Sequence, residues 1–355
     1  MFKDSYQVIG VMSGTSLDGV DLAHLSFFYT SDKWHFEILR ATTVAYSDYW
    51  LHQLKNAVNF STTELVQLNE SYTKLLADII SQFVTDNKIQ GLDAVCSHGH
   101  TILHQPSNGF TLQIGNLPIL AQLINQNVVC DFRVQDVELG GQGAPLVPIG
   151  DRLLFSDYEY CLNLGGFSNI SYEFDGNRIA YDISPVNTVL NFYANRLGFD
   201  YDDKGEMARS GQTNFELLEA LNEINFYNQT FPKSLGIEFV QDTILPILES
   251  YSISDFDKMH TFVEHIAFQI KNVLPDVSSK MLVTGGGAYN AFLMEHIKKL
   301  LINTEVVVPN DTIIQYKEAL IFGFLGVLKL RNEPNVLCSV TGAVKDHSSG
   351  FIYKN

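Results

Sequence analysis

A glycine-rich segment at residues 10–21 constrains the fold more than any other part of the chain. It places three glycines, three hydroxyl side chains and two carboxylates directly after the apolar residues 6–9. Glycine lets backbone amides approach an anion closely, and hydroxyl groups donate hydrogen bonds to its oxygens. No Gly-Lys-Ser/Thr follows as in a Walker loop, and the alternation of residues 20–25 predicts a strand where a Rossmann fingerprint would open a helix. The segment therefore predicts a phosphate-binding turn between two strands, with an ordinary glycine-rich hairpin as the alternative.

Charge and hydropathy argue against several classes of protein. The chain has 23 basic and 40 acidic residues and a formal charge of -17, which is unfavourable for binding nucleic acid or an anionic membrane surface. It has no run of about 18 apolar residues, and residues 1–5 do not begin a signal peptide, so we expect a cytoplasmic protein with no membrane partner. Its 355 residues, 46% of them hydrophobic, are enough for two domains.

The two halves of the chain follow the same plan of strands and turns. Alternating patterns predict strands at 6–13, 18–29 and 34–45, and again at 159–164, 170–174 and 178–183. Helices and buried strands are predicted after each meander, at 47–58, 62–86, 92–96, 116–125 and 128–130, and then from 186 onward, at 239–249, 254–273 and 280–284. The predicted fold class is therefore α/β, with two similar domains, each a mixed sheet that opens with a three-stranded antiparallel meander, and an interdomain cleft.

The glycine-rich stretch 139–145 is the strongest interruption of these patterns. It predicts a hinge or a substrate loop, and we expect the hinge near residues 132–145. We accordingly assign residues 1–132 to the first domain, completed by about residues 335–355, and residues 133–334 to the second.

Two further glycine turns follow predicted strands in the second half. Gly165 and Gly166 follow the strand at 159–164, and residues Gly285, Gly286 and Gly287 lie between the strand at 280–284 and a helix that begins near Asn290. Bare backbone at a helix N-terminus suits adenosine or a phosphate, although tight turns also use glycine without a ligand. Three such turns on one ligand would bracket a nucleoside triphosphate.

Asp182 ends the third strand of the second meander, just before a helix. Phosphoryl transfer needs a carboxylate that orients a hydroxyl or a water, so Asp182 is the candidate general base. The alternative is that Asp182 caps the helix that begins near Pro185.

Residues 97–106 hold three histidines after a buried strand. Their spacing in a loop flanked by glycine and proline is weak evidence for a metal, and we expect a polar loop that contacts substrate, with Ser97 and His98 as candidates. Arg133, at another strand end, is able to clamp a carboxylate or phosphate or to form a surface ion pair. The cysteines stand singly and are expected to be buried thiols; they are Cys96, Cys130, Cys161 and Cys338.

The chain resembles the anhydro-N-acetylmuramic acid kinases, a branch of the sugar-kinase, actin and heat-shock ATPase superfamily, over nearly its whole length. The resemblance implies two actin-like (ribonuclease H-like) domains. The segments that carry it are 11–21, 97–101, 111–115, 131–133, 140–148, 163–170, 285–290, 318–319 and 339–343.

This resemblance implies a reaction in which water opens the 1,6-anhydro ring of 1,6-anhydro-N-acetylmuramic acid and ATP phosphorylates O6, in peptidoglycan recycling. Asp182 matches the family's catalytic aspartate, and the ATP-binding loop matches Gly14, Thr15, Ser16, Leu17, Asp18, Gly19, Val20 and Asp21. Arg133, Asn187 and Glu318 are candidates for sugar contacts. Asp18 is the candidate to hold Mg²⁺ through water, and the family is compatible with a homodimer.

Several residues depart from the family pattern. Asp182-Ile183-Ser184-Pro185-Val186-Asn187 stands where the family has Asp-Thr-Gly-Pro-Gly-Asn, His100 replaces a glutamine, and Ile237 replaces an arginine. A Thr-rich stretch is replaced by residues 242–245. An active, divergent kinase is the main prediction; the alternatives are a nucleotide-gated binding protein that has lost catalysis and a kinase for a different aminosugar.

Overall fold

The computed structural model describes residues 3–355, and the chain forms two compact units. The first unit contains the chain up to Leu154 together with Tyr316–Asn355, and the second contains Phe155–Gln315. The strands are β1 (Ser5–Ser13), β2 (Val20–Thr30), β3 (Lys33–Val44), β4 (Ala94–Gln105), β5 (Phe110–Ile114), β6 (Val128–Cys130), β7 (Tyr160–Leu164), β8 (Phe167–Phe174), β9 (Asn177–Pro185), β10 (Ser279–Thr284), β11 (Thr304–Val307) and β12 (Phe351–Tyr353).

The helices are α1 (Asp48–Asn56), α2 (Thr62–Asp86), α3 (Ile119–Ile124), α4 (Val134–Glu138), α5 (Pro148–Leu154), α6 (Asn187–Arg196), α7 (Glu206–Ser210), α8 (Phe215–Asn222), α9 (Ile237–Phe239), α10 (Leu245–Ser250), α11 (Asp255–Asn272), α12 (Ala291–Leu300), α13 (Asp311–Leu330) and α14 (Cys338–Thr341). No helix within residues 3–355 has both the length and the apolar character that crossing a membrane requires.

A mixed sheet of seven strands lies at the centre of the first unit. Its strand order is β12-β6-β4-β1-β2-β3, with β5 paired to β4. β1 is antiparallel to β2 and parallel to β4, and β4 is parallel to β6. The central strand β1 is almost entirely buried because helices cover the sheet, and the α2 residues Leu76 and Ile80 pack in the same core as Ile9 of β1.

The sheet of the second unit repeats this connectivity. Its order is β11-β10-β7-β8-β9, in which β7, β8 and β9 form an antiparallel meander and β10 is parallel to both β7 and β11. The same path of a meander followed by two parallel strands is β6-β4-β1-β2-β3 in the first unit. The predicted fold class, α/β with two similar domains, is therefore confirmed.

Helix α13 approaches the first sheet closely because it presents a stripe of small residues. A Cβ atom on Gly10 of β1 would lie 1.9 Å from the carbonyl oxygen of Ala319, and a Cβ on Gly326 would lie 2.1 Å from the sulfur of Cys96. Gly323 lies between them on the helix, with its amide 3.2 Å from the same Gly10 position. This contact fixes the part of α13 that carries Glu318.

The structure differs from the sequence predictions in three places. Residues 97–105 continue the buried strand as β4 and pair with β5, so the prediction of a polar loop there is wrong. The predicted helix at 239–249 is divided into α9, a π-helical turn at Val240–Ile244, and α10. Of the four cysteines, Cys338 is only partly buried, whereas the other three are buried as expected.

The compact units also divide elsewhere than the predicted boundaries near 132 and 335. Residues 133–154 join the first unit because Gly150 of α5 packs against Ile321 of α13 and Thr341 donates a hydrogen bond to Asp136. The predicted hinge stretch 132–145 accordingly lies inside the first unit.

Candidate active site

The turn between β1 and β2 holds the predicted phosphate-binding residues. The Leu17 amide donates to the Gly14 carbonyl at 3.3 Å and closes a tight turn. Leu17 has a φ of 62°, a left-handed conformation that residues with side chains adopt rarely and that clusters at ligand-binding sites. Thr15, Ser16 and Asp18 are exposed, and Ser16 Oγ donates to Asp18 Oδ1 at 2.8 Å. Exposed hydroxyls beside a carboxylate are a donor set that fits a phosphate and a hydrated magnesium ion.

The second half of this turn returns into the sheet. Val20 is fully buried, and a Cβ on Gly19 would lie 2.5 Å from the Val44 carbonyl oxygen of β3. Asp21 Oδ1 accepts a hydrogen bond from Thr43 Oγ1 at 2.6 Å. Burial raises the pKa of Asp21 despite this bond. Gly19 and Val20 therefore pack the turn against β3. The carboxyl group of Asp21 lies close to the turn.

A buried hydrogen-bond network supports the start of the turn. Ser13 Oγ lies 2.8 Å from His100 Nδ1 and 2.6 Å from the Tyr46 hydroxyl, which in turn bonds the Tyr72 hydroxyl. Burial lowers the pKa of His100 to about 4, so this imidazole is neutral at physiological pH. His100, which departs from the family pattern, is thus a structural partner of Ser13. Sequence reasoning missed the two tyrosines because they lie on separate helical and loop segments.

Arg133 is held in place by two buried partners. Its Nε donates to His98 Nε2 at 2.9 Å, and its Nη1 donates to the Gly143 carbonyl at 2.6 Å. Burial, together with the charge of Arg133, lowers the pKa of His98 well below its usual range, so the ring is neutral and able to accept this bond. Arg133 therefore does not form the surface ion pair that was its alternative interpretation. His98 therefore positions Arg133.

Asp136 anchors the glycine-rich stretch that contacts Arg133. Its Oδ2 accepts from the Gly143 amide at 2.6 Å and its Oδ1 accepts from Thr341 Oγ1 at 2.7 Å. A Cβ on Gly141 would lie 2.2 Å from the same carboxylate, so glycine is needed there for packing. Asp136 therefore positions this stretch, a role that the sequence analysis did not predict. The sequence does show an acidic residue three positions after Arg133 and just before the glycines.

Glu318 brings α13 into the same group of charges. The surrounding protein desolvates its carboxylate and raises its pKa, although the side chain remains accessible to solvent. The charge of Arg133 lowers this pKa, and the charges of Asp21 and Asp18 raise it. Glu318 is therefore within electrostatic reach of both Arg133 and the phosphate turn. Ser97, by contrast, is fully buried, and its Oγ accepts from the Gly99 amide at 3.2 Å.

Asp182 occupies a β-bulge in the second unit. It pairs with Asn169 of β8, but the next pair joins Ser184 to Ser168, so Ile183 is an extra residue on β9. Bulges change the direction of side chains and are frequent beside active sites. The Asp182 amide donates to the Lys233 carbonyl at 3.2 Å, and its Oδ2 accepts from the Leu235 amide at 2.8 Å.

The surroundings of Asp182 suit a base. Burial raises its pKa above the ordinary value of 3.8, against the opposing effect of the Leu235 hydrogen bond. Within residues 3–355, Oδ1 has no hydrogen-bond partner. Helix α6 begins after Val186 without any side-chain cap, so the alternative in which Asp182 caps this helix is wrong.

A row of polar residues runs across four adjacent strands from Asp182. Asp182 pairs with Asn169, Asn169 pairs with Asn163, and Asn163 pairs with Thr284. Directly opposite residues project from the same face of a sheet, and strands lie about 4.8 Å apart, so the row extends over roughly 14 Å. It ends beside Gly285, which follows Thr284. Sequence reasoning missed this row, whose signal was a polar residue at the end of each strand.

The two glycine turns of the second unit lie side by side. A Cβ on Gly285 would lie 2.7 Å from the Leu164 carbonyl oxygen, and a Cβ on Gly286 would lie 3.8 Å from Asn187 Nδ2. The backbone amide of Asn187 also donates to the Gly165 carbonyl at 3.3 Å. The structure therefore brings Gly165, Asn187 and the triple-glycine turn into one cluster.

The remaining predicted residues of this cluster have structural partners. The Gly166 carbonyl accepts from the Val186 amide at 2.8 Å, and a Cβ on Gly287 would lie 2.7 Å from Leu164 Cβ. Asn290 Oδ1 accepts from the Leu293 amide at 2.9 Å and caps α12. Asn290 thus opens the helix as predicted, and this oxygen is already engaged.

Comparison with known proteins decides the family. The family model described as anhydro-N-acetylmuramic acid kinase matches residues 6–355. The chain belongs to this family. Proteins named anhydro-N-acetylmuramic acid kinase are 34% identical in Pasteurella multocida, over 97% of this chain and 96% of that protein, and 33% identical in Sulfurovum sp., over 99% and 100%. Among solved structures, a ROK family glucokinase from Streptomyces griseus matches with a TM-score of 0.40 at 11% identity, over 90% of this chain and 98% of that chain.

In this chain, the predicted residues fall into two groups. The first unit holds the turn at 14–21, His98, Arg133 and Glu318, and the second holds Asp182, Asn187 and the glycine turns. Two residues predicted to contact ligands, Ser97 and Val20, are fully buried. They contact other residues of the protein. The contacts of this segment with Asp182 come from backbone atoms of Lys233 and Leu235, which precede the departure at Ile237.

Asp131, two residues before Arg133, tests how burial changes the pKa of a carboxyl group in the first unit. Its Oδ1 accepts from Asn116 Nδ2 at 3.0 Å, and burial raises its pKa to about 6. The folded state therefore favours the protonated acid, and stability is lost as the pH rises from about 4 through 6. We expect Asp131→Asn to raise the free energy of unfolding at pH 7 by about 2–3 kcal/mol, since asparagine also tolerates the left-handed φ of 59°.

Urea unfolding at pH 7 and pH 4 measures this effect. The gain should disappear at pH 4, where the wild-type carboxyl is already protonated. An equal gain at both pH values would show that the ionisation of Asp131 is not its cause.

Proposed function

We propose that this protein is an ATP-dependent kinase that converts 1,6-anhydro-N-acetylmuramic acid and water into N-acetylmuramic acid 6-phosphate, in peptidoglycan recycling. Water adds to the anomeric carbon, the bond from that carbon to O6 breaks, and O6 accepts the γ-phosphoryl group of ATP. The released O6 thus needs no proton from a separate acid. Family membership and the retained Asp182 favour this function over a binding protein that has lost catalysis.

The environment of Asp182 is the observation that carries the proposal. Oδ2 is fixed by the Leu235 amide, and Oδ1 remains to accept the proton of the attacking water. Burial raises the pKa of the Asp182 carboxylate, which makes it a stronger base than an exposed aspartate. We assign Asp182 as the general base.

The turn at 14–21 fits the phosphates of ATP. Thr15 and Ser16 are exposed donors, and Asp18 is the exposed carboxylate that would hold Mg²⁺ through water. When bound, the metal neutralises charge on the phosphates. The glycine cluster around Gly285 offers bare backbone for the rest of the nucleotide.

Arg133 and Glu318 are assigned to the sugar. Arg133 presents Nη2 from a fixed guanidinium, which suits the carboxylate of a muramic acid. Glu318 is able to accept hydrogen bonds from sugar hydroxyl groups. A homodimer, a cytoplasmic location and the absence of nucleic-acid or membrane partners stay predictions from the sequence.

Mass spectrometry of the product tests the proposed function. Purified protein, ATP, Mg²⁺ and 1,6-anhydro-N-acetylmuramic acid should yield a product heavier by one phosphoryl group and one water. Unbridged N-acetylmuramic acid should not be phosphorylated at a comparable rate. A product heavier by a phosphoryl group alone would reject the coupled reaction, and preference for an unbridged sugar would assign a different substrate.

Gly285→Ala tests the nucleotide cluster. The glycine has a φ of 84°, and a Cβ would meet Asn163 Oδ1 at 2.6 Å and the Leu164 carbonyl oxygen at 2.7 Å. We expect the KM for ATP to rise at least about tenfold, because roughly 1.4 kcal/mol of lost binding gives that factor. Steady-state kinetics with varied ATP measures the change.

Gly176→Ala is the matched control. Gly176 lies in the same unit with a φ of 78°, but nothing lies within 4 Å of its Cβ position. Gly176→Ala should lower the free energy of unfolding by about 1–2 kcal/mol, because alanine is unfavourable in the left-handed conformation. The KM for ATP should not change. If Gly285→Ala and Gly176→Ala have the same KM for ATP, the Gly285 turn is not part of the nucleotide site.

A further inference from the structure

One cluster of metal-ligating side chains lies outside the residues assigned to the kinase reaction. Within residues 3–355, His260, Glu264 and His296 are the group whose ligand atoms all lie within 4.8 Å of one another. His260 and Glu264 are four residues apart on α11, which places them on one face of the helix, and His296 projects from α12. We propose that these three residues bind a zinc-type divalent cation that joins α11 to α12.

The hydrogen bonds of the two histidines leave the right nitrogen for a metal. His260 Nδ1 lies 2.9 Å from the Ala208 carbonyl oxygen, and His296 Nδ1 lies 3.0 Å from the Phe292 carbonyl oxygen. A carbonyl only accepts hydrogen bonds, so each Nδ1 carries the proton and each neutral ring has its lone pair on Nε2. Metal-ligating histidines are usually held by such an outer hydrogen bond.

Both Nε2 atoms face the same carboxylate oxygen. Glu264 Oε1 is 3.9 Å from His260 Nε2 and 3.8 Å from His296 Nε2. These separations are too long for direct hydrogen bonds. Two ligands at a tetrahedral angle, each about 2.05 Å from zinc, lie roughly 3.3 Å apart, so each Glu264–histidine pair would close by about half an ångström around an ion. The ligand nitrogens of the two histidines lie within 4.8 Å of each other.

Packing around the cluster fixes the two imidazole rings. The Phe292 ring lies 5.0 Å from the His260 ring and 4.4 Å from the His296 ring, measured between centroids. Arg209, which stacks over Phe292, has its charge paired with Glu295 through two hydrogen bonds. Glu264 places a carboxylate next to the Nε2 atoms of both histidines.

The chemistry of the three ligands selects the ion. Two imidazole nitrogens and one carboxylate are a common zinc set, and they leave a fourth position for water. Magnesium prefers oxygen ligands and retains its waters, so it should not compete. All three side chains are partly exposed, at 15%, 26% and 19%, which gives an ion access to the site.

Cobalt binding to the full-length, untagged protein tests the proposal, because four-coordinate Co²⁺ absorbs visible light more strongly than the hexaaqua ion. We expect one Co²⁺ per chain, displaced by Zn²⁺ but not by excess Mg²⁺, and a melting temperature that rises with Zn²⁺ concentration. His260→Ala, His296→Ala and the less disruptive Glu264→Gln should each weaken Co²⁺ binding by at least about tenfold. The control His52→Ala, at an exposed histidine of α1, should bind Co²⁺ like the wild type.

The result that overturns the proposal is a wild type without stoichiometric Co²⁺ or Zn²⁺ binding, or binding that the three variants leave unchanged. Kinase activity is not a readout here, so failure of the metal site and failure of the proposed reaction are separate outcomes.

Discussion

Asp182→Asn is expected to lower kcat by about 10²–10⁴-fold, the range typical for loss of a general base. Asparagine has the same shape, and its Oδ1 is still able to accept from the Leu235 amide, so the fold and the nucleotide site should be preserved. The KM for ATP should therefore change little. Steady-state kinetics and nucleotide titration together separate the chemical step from binding.

The pH dependence of the wild type sharpens this prediction. The base acts only when ionised, and burial raises its pKa above 3.8, so kcat/KM should fall on the acid side at a pH above that of an ordinary aspartate. The residual kcat/KM of Asp182→Asn should not show this fall at acid pH. Asp175→Asn, at the exposed tip of the same hairpin, is the matched control and should behave like the wild type. Wild-type turnover in Asp182→Asn would reject the assignment.

Gly10→Ala is expected to lower the free energy of unfolding by about 3 kcal/mol, at the upper end of overpacking effects. The added methyl would lie 1.9 Å from the Ala319 carbonyl oxygen, a backbone atom in the buried part of α13. Because Glu318 precedes Ala319, the KM for the sugar should rise in the same variant. Urea unfolding and sugar kinetics measure the two effects.

Gly109→Ala is the comparison for Gly10→Ala. Gly109 lies between β4 and β5 of the same sheet, and nothing lies within 4 Å of its Cβ position. It should lose only about 1–2 kcal/mol through its left-handed φ and leave the sugar KM unchanged. Equal losses in the two variants would show that the contact between β1 and α13 is not tightly packed.

Sequence patterns predicted the elements that depend on local chemistry. The two meanders, helix α2 and the strand at 128–130 follow from alternation and from helical periodicity. The structure adds a capping box at Ser61 and Glu64, at the start of α2. The turn between β1 and β2 was likewise predictable, because glycine patterns are local. Asp182 was predicted at a strand end, but β9 continues to Pro185 and Asp182 lies inside it. The family resemblance supplied the reaction.

Features that depend on distant partners were not predictable in this way. Residues 97–105 contain polar and glycine residues typical of a loop, yet they form β4 because β1, β5 and β6 pair with them. The bulge at Ile183 and the contact of Arg133 with His98 also require residues far apart in sequence. The stripe of Ala319, Gly323 and Gly326 was visible in the sequence, but its meaning depends on the strand that faces it.

The origin of the oxygen on the anomeric carbon tests the central claim most directly. A short reaction of the wild type in ¹⁸O-labelled water, with ATP and 1,6-anhydro-N-acetylmuramic acid, should give a 6-phosphate with one ¹⁸O on the anomeric carbon and none in the phosphate. Asp182→Asn should form this labelled product only at its much lower rate. Label in the phosphate, or a product whose anomeric oxygen is unlabelled, would contradict the account in which Asp182 activates water to open the anhydro ring.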